Sequence, residues 1–431
     1  MFSSSECGRY RGSRRRGKAR PLVGTRQQRR GGPPMARVSR AETQERNRAK
    51  VLAAAREEFA ERGFRDAKVD AIAERVGLTR GAVYSNFPGK RALYFAVLAD
   101  AAEHAFPPGA VPYADPGPDG GAFAHRTSPS SHLPHNPPAP GLPAPGLPAM
   151  GRSSVGLAAG GPRAGVGLQA ALGAFALAWV RPLADDRLGR DLTPELLAED
   201  VRRPYAQLLK LDALLLSLAL ERLRPTAPGP GGAPARRVRQ AGIVLGALHG
   251  ANQVAATAPG FLQPYDVVVA CERLAGLDLE DWWSTPPSGP PIRPVEEPWN
   301  PPPAIDLVRG EPLAHRDGVV AVLGLNRLAA VEEAVRRGEP TTVVLATSTP
   351  HELGPLARLV VAQVCGPLRQ AFPVGTWPDL RVVCDESGEF AKSLGVPAVS
   401  DETETALRVR NGRLLLRADG FAACHAIAAS A

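Results

Sequence analysis

At 431 residues, 44% of them hydrophobic, the chain is long enough for two to four domains with real cores. Its 44 glycines and 44 prolines exclude a collagen-like repeat and point to several folded pieces joined by linkers. Lys and Arg number 52 against 43 Asp and Glu, a net charge of +9, but residues 1–34 hold ten of those cations and a single acid, Glu6, so the excess belongs to that tail and the rest is neutral.

The densest apolar run, Leu211 to Leu220, is ten residues long and contains Asp212, well short of the roughly 18 that span a bilayer. Arg14, Arg15 and Arg16 lack the following apolar segment of an export signal. The five cysteines, Cys7, Cys271, Cys365, Cys384 and Cys424, are scattered, odd in number and without CxxC spacing. That argues against a disulfide framework or zinc site and fits a reducing cytoplasm.

Residues 1–39 read as a disordered basic tail, with Met35 an alternative start. Residues 40–106 read as four helices. The first, Glu42 to Arg62, has Val51, Leu52, Ala55 and Phe59 on one face, and Gly63 stops it. A second spans Val69–Val76 and is broken by Gly77. Thr79 starts a third as an N-cap hydroxyl, Pro88-Gly89 ends it, and Lys90 to Phe106 is the fourth. Two short helices joined by a tight glycine turn make a helix-turn-helix, with Ala73 allowing a close crossing and Val76 and Val83 between them. Thr79, Arg80, Ser85 and Asn86 then face outward, beside Tyr84. Arginine and asparagine bond guanine and adenine bidentately, while lysine and tyrosine suit phosphate. On spacing alone, an ordinary helical hairpin with a polar face remains open.

The run Thr79-Arg80-Gly81-Ala82-Val83-Tyr84-Ser85-Asn86-Phe87-Pro88-Gly89-Lys90, together with Gly63-Phe64, Ile72-Ala73 and Gly77, resembles the DNA-binding domain of TetR-family transcriptional regulators over residues 40–100. The resemblance implies that Thr79, Arg80, Ser85 and Asn86 meet the major groove and that Gly81, Tyr84 and Lys90 position phosphates. The chain departs from the family at Ala67-Lys68, where threonine usually caps the second helix and where Lys68 instead offers a phosphate contact. It departs again at Arg91, where an acid is common and a further phosphate contact is expected.

Residues 107–163 hold 14 prolines and 10 glycines and read as a linker. Its His125, His132 and His135 read as solvated rather than metal-binding. Residues 164–283 turn helical again at Leu168–Leu183, Pro194–Leu223 (kinked or divided by Pro204), Ala235–Ala258 and Pro264–Leu277. The resemblance makes this the ligand-binding and dimerisation part, its last two helices pairing across a two-fold axis. Gly242, Gly246 and Gly250 allow close helix approach, across that axis or within one subunit. Trp179, Tyr205, His249, Asn252 and Gln253 are pocket candidates, although single polar residues there are more often plain core or surface groups.

Residues 284–304 read as a proline-rich linker and 305–431 as an α/β domain. Its expected elements are a helix at Asn326–Arg337, a strand at Thr342–Ala346, a helix at Leu353–Val364, a strand at Leu380–Cys384 and a short helix at Gly388–Leu394. Strands at Ala406–Arg410 and Arg413–Arg417 follow, joined by Asn411-Gly412, then a last helix at Gly420–Ala429. Asp385 to Val396 and the hairpin resemble the thioredoxin fold, including peroxiredoxin-like versions. In that family a cysteine sits where the first strand meets its helix. Here the junction is read as Ala346 to His351, which has none.

The chain is therefore read as multidomain: an all-α TetR-like regulator followed by an α/β thioredoxin-like domain lacking its redox cysteine. The expectation is a cytoplasmic homodimer on a palindromic double-stranded operator, most simply a repressor released by a small-molecule effector. No enzymatic activity, catalytic residue, cofactor, metal or membrane partner is expected. The rival reading is a redox-sensing regulator or thiol oxidoreductase acting through Cys365 or Cys384.

Overall fold

The computed structural model describes residues 40–106, 167–181, 188–225, 229, 235–284 and 288–430. The basic tail with Met35 and Cys7, and the linker with its three histidines, lie outside them.

Helix α1 runs from Arg40 to Asp66 and bends at Gly63, whose φ of 74° leaves the helical region. It is followed by α2 (Val69–Arg75), α3 (Arg80–Tyr84) and α4 (Lys90–Ala105). Their shared core holds Val51, Phe59, Ile72, Val83, Phe87 and Leu93, the apolar positions that repeat at helical spacing. Then come α5 (Leu168–Val180), α6 (Leu192–Leu196), α7 (Glu199–Leu223), α8 (Val238–Thr257) and α9 (Pro264–Leu274). Pro204 does not divide its helix: α7 continues through it, and the break falls ahead, at Leu197-Ala198. As the sixth residue of α7, Pro204 forgoes the amide bond to Asp200 O, and its own burial with Val201 and Leu208 offsets that loss.

The last part is a six-stranded sheet in the order β1-β8-β7-β4-β5-β6. Its strands are β1 (Arg293–Pro298), β4 (Gly318–Gly324), β5 (Thr341–Ala346), β6 (Leu380–Cys384), β7 (Glu404–Arg410) and β8 (Arg413–Asp419). Strands β4, β5 and β6 are parallel; β7 pairs antiparallel with β4 and β8, and β1 with β8. A small hairpin, β2 (Ile305–Asp306) with β3 (Glu311–Pro312), lies beside β6. Helices α10 (Val331–Val335), α11 (Pro350–Ala371), α12 (Glu389–Ser393) and α13 (Ala423–Ala429) complete the α/β part. Asn411 and Gly412, at φ 51° and 67°, make the expected tight turn between β7 and β8.

Three sequence expectations need correction. The stretch read as a linker, 284–304, supplies the edge strand β1. Strand β4, in no predicted element, is central, flanked by β5 and β7. The first strand of this part to meet a following helix is therefore β4, and the junction is Leu325-Asn326-Arg327, not Ala346 to His351; it too has no cysteine.

Val319, Ala321, Leu323, Val343 and Leu345 share one core with α11 and with the helix-turn-helix, whereas Val320, Val322 and Val344 face Phe390 and Leu394 on the other side. Both sheet faces are covered, as a parallel centre requires. The described residues from Asn47 onward form one compact unit.

Candidate nucleic-acid interface

The turn between α2 and α3 follows from its sequence. Gly77 adopts φ +66°, the Leu78 amide donates to Ala73 O at 2.9 Å and the Gly77 amide to Glu74 O at 3.1 Å. This is the paired closure that a glycine past a helix end permits. Thr79 then caps α3, its Oγ1 accepting from the Ala82 amide at 3.2 Å. Where the expected threonine cap of α2 is missing, Lys68 stands at the N-cap without a side-chain bond. Its amide instead donates to the buried Glu58 carboxylate at 3.4 Å. Glu58 also pairs with Arg62 and Arg75, and Arg75 reaches Glu57 and Glu61, tying α2 to α1. The Arg75 hydrogen bond holds the Glu61 carboxyl below its ordinary range.

Lys68, Thr79, Arg80, Gly81 and Ser85 are exposed, and Tyr84, Asn86 and Lys90 are half-buried. Arg80 Nη1 lies 3.2 Å from Asp70 and its guanidinium sits over the Tyr84 ring at 5.4 Å. The Tyr84 hydroxyl and then Asp70 raise its already high pKa, so it is a fixed cation. Ser85 Oγ and Asn86 Nδ2 both donate to Ala82 O, at 2.8 and 2.9 Å. Lys90 Nζ donates to Arg65 O at 2.9 Å and covers the Phe64 ring. Asn86 and Lys90 are thus held by their own domain. Arg91 is turned away from this face: it pairs with Asp200 of α7 and with Glu352 of α11 at 3.2 Å. The phosphate contact expected of it is corrected to an internal ion pair.

Among the pocket candidates, Trp179 Nε1 donates to Asn252 Oδ1 at 3.2 Å, and the His249 ring stands edge-on to Trp179 at 5.0 Å. Burial pushes the His249 pKa down to about 4. Tyr205 lies apart on α7, its pKa raised to about 12 by burial and then by Asp212. Gln253 is exposed, accepting from Thr193. A Cβ added at Gly242, Gly246 or Gly250 would meet nothing within 4 Å. These glycines lie on the exposed side of α8, so they are not packed within the subunit. Phe261 and Tyr265, each 74% exposed, lie close by in sequence at the start of α9.

Cys271, Cys365, Cys384 and Cys424 are unpaired. Burial raises every one of these thiols, Cys271 to about 11, with Glu272 adding to it. A reactive thiolate needs the opposite environment. No helix among the described residues is long and apolar enough to cross a membrane, and they hold no cluster of metal-ligating side chains.

Residues 51–97 match the family described as bacterial regulatory proteins, tetR family. The HTH-type transcriptional regulator SrpR of Pseudomonas putida is 48% identical over 65 residues, 15% of this chain and 30% of its own length. The uncharacterized HTH-type transcriptional regulator TtgW, also of Pseudomonas putida, is 48% identical over 65 residues, 15% of this chain and 48% of its own length. The HTH-type transcriptional activator FasR of Mycolicibacterium smegmatis is 39% identical over 84 residues, 20% of this chain and 33% of its own length. The chain thus spans between about a third and a half of these relatives. A solved TetR transcriptional regulator from Rhodococcus sp. RHA1 aligns over 54% of this chain and 95% of its own at 15% identity, with a TM-score of 0.30. Residues 51–97 are therefore a TetR-type N-terminal helix-turn-helix domain whose relatives are transcriptional regulators, joined to a region of mixed sheet and helices.

Proposed function

We propose that the chain is a sequence-specific, homodimeric DNA-binding regulator acting in the cytoplasm, most simply a repressor that a small molecule releases. The carrying observation is that Arg80 and the two residues capping α3, Thr79 and Ser85, are exposed, within the segment that matches the tetR family. In this reading α3 enters the major groove of a palindromic operator, Arg80 reads a base, and Lys68, Gly81, Tyr84 and Lys90 meet phosphates. Ser85 and Asn86 line the same groove face. The exposed glycine side of α8, with Phe261 and Tyr265, supports pairing of two copies through α8 and α9. The Trp179–His249–Asn252 group is where an effector would be sought.

No catalytic role is proposed for the α/β region read as thioredoxin-like. The buried Cys365 and the half-buried Cys384, whose Sγ donates to Gly354 O at 3.6 Å, weigh against the redox-sensor and oxidoreductase alternatives, because thiol exchange needs an accessible thiolate. A salt titration tests the reading. The full chain on duplex DNA should lose affinity steeply with salt, and Lys68→Ala should flatten the slope by about one. A slope indifferent to both salt and Lys68 would contradict it.

A further inference from the structure

Helix α11 belongs to the α/β part, yet it lies along α4, the helix that directly follows the reading head. Gly366 of α11 lies against the Phe106 ring, which caps the end of α4, and any added side chain there would collide with it. Arg369 fastens the same point, donating to Phe106 O at 3.2 Å. Nearer the middle of α11, Arg358 bonds both Glu103 oxygens, at 2.8 and 2.6 Å, and Glu386 at 3.2 Å. Glu386, on the loop after β6, lies 3.7 Å from Arg48 of α1. Arg48 sits over the Phe87 ring at 4.6 Å and donates to Asn86 O at 3.5 Å, where α3 ends. At the other end of α4, Arg91 is held by Glu352 and Asp200.

We propose that α11 and the Glu386 loop set the orientation of the reading helix, with Arg358, Glu103 and Gly366 as positioning residues for DNA recognition. The inference rests on the DNA-binding reading above. Holding α4 at both ends and α1 through Arg48 leaves α3 one attitude. A dimer that must seat two such helices together binds more tightly when neither has to be ordered on contact. The contacts form a continuous chain of packed and ion-paired groups, the kind of network that carries coupling between distant parts.

Arg358→Gln and Glu103→Gln in the full chain separate positioning from charge. They change the net charge in opposite directions. A long-range effect would weaken DNA binding in the first and tighten it in the second. Positioning predicts that both weaken it, by about tenfold, and that the double variant loses no more than either single one. Neither should change the salt slope or the preferred sequence, since neither side chain touches DNA. Amide hydrogen exchange should rise in residues 90–105 and hold steady in 238–257. Gly366→Ala should weaken binding at unchanged charge. Opposite effects of the two Gln variants, or affinities within about twofold of wild type, would overturn the inference alone. A wild-type chain that binds no duplex DNA would overturn the DNA-binding reading, and this inference with it.

Discussion

In the proposed reading Arg80 would reach a base only by leaving Asp70 and Tyr84, and at 61% side-chain exposure that ion pair is weak. Replacing it with a guanine edge is a favourable exchange. Arg80→Ala should therefore relax preference at one base pair, by on the order of tenfold to a hundredfold, as read by competition between duplexes differing at that pair. Asp212 poses the opposite question. It is buried at 1% exposure, neither carboxyl oxygen has a partner, and burial raises its pKa well above the ordinary value. The folded chain then binds this proton more tightly than the unfolded chain. Stability should fall as pH rises past the usual carboxyl range and level off only above the raised pKa. Asp212→Leu should remove that slope and stabilise the neutral-pH protein by about 1–3 kcal/mol, checked by denaturant melts at several pH values. The outward residues of α3 were legible in the sequence because a capping threonine and a glycine turn fix where α3 starts. The inward turn of Arg91 was not, because its partners Asp200 and Glu352 are more than a hundred positions away.

The elements that sequence reasoning found carry local signals. Gly63 bends α1, Gly77 follows the end of α2, Thr79 begins α3, and Asn411-Gly412 closes a hairpin. Strand β4 carries none: Gly-Val-Val-Ala-Val-Leu-Gly is buried on both faces, and a short unbroken apolar run has no period to separate strand from helix. The sequence reading ends this helix at Val364, whereas α11, packed against α4, runs through Gly366-Pro367 to Ala371. Tertiary burial there outweighs the local penalty of proline. At the turn, Gly77 has open space around it but a left-handed φ. Gly77→Ala should cost about 1–2 kcal/mol through backbone strain alone, measured by thermal melts, with DNA affinity lost only as far as the domain loosens.

At the scale of the whole molecule, the sequence reads as an α/β domain set off from the helices by a proline-rich linker at 284–304. Instead its helix α11 shares a core with α4, α5 and α7, and the supposed linker lends it a strand. Linker composition was legible, but which apolar face would be covered by a distant helix was not. The helical and α/β parts should unfold together in a single thermal transition, and residues 288–430 alone should aggregate, their α11 face uncovered. Two separated transitions would contradict this. The central claim, that α3 reads DNA as one half of a two-fold pair, is tested most directly by selecting bound duplexes from a random pool with the full chain and its Arg80→Ala variant. The wild type should enrich a palindrome whose half-sites lie about one helical turn, roughly 34 Å, or a multiple of it apart, and the variant should lose preference at one symmetric position in each half. No enrichment, or an identical motif from both proteins, would contradict the claim.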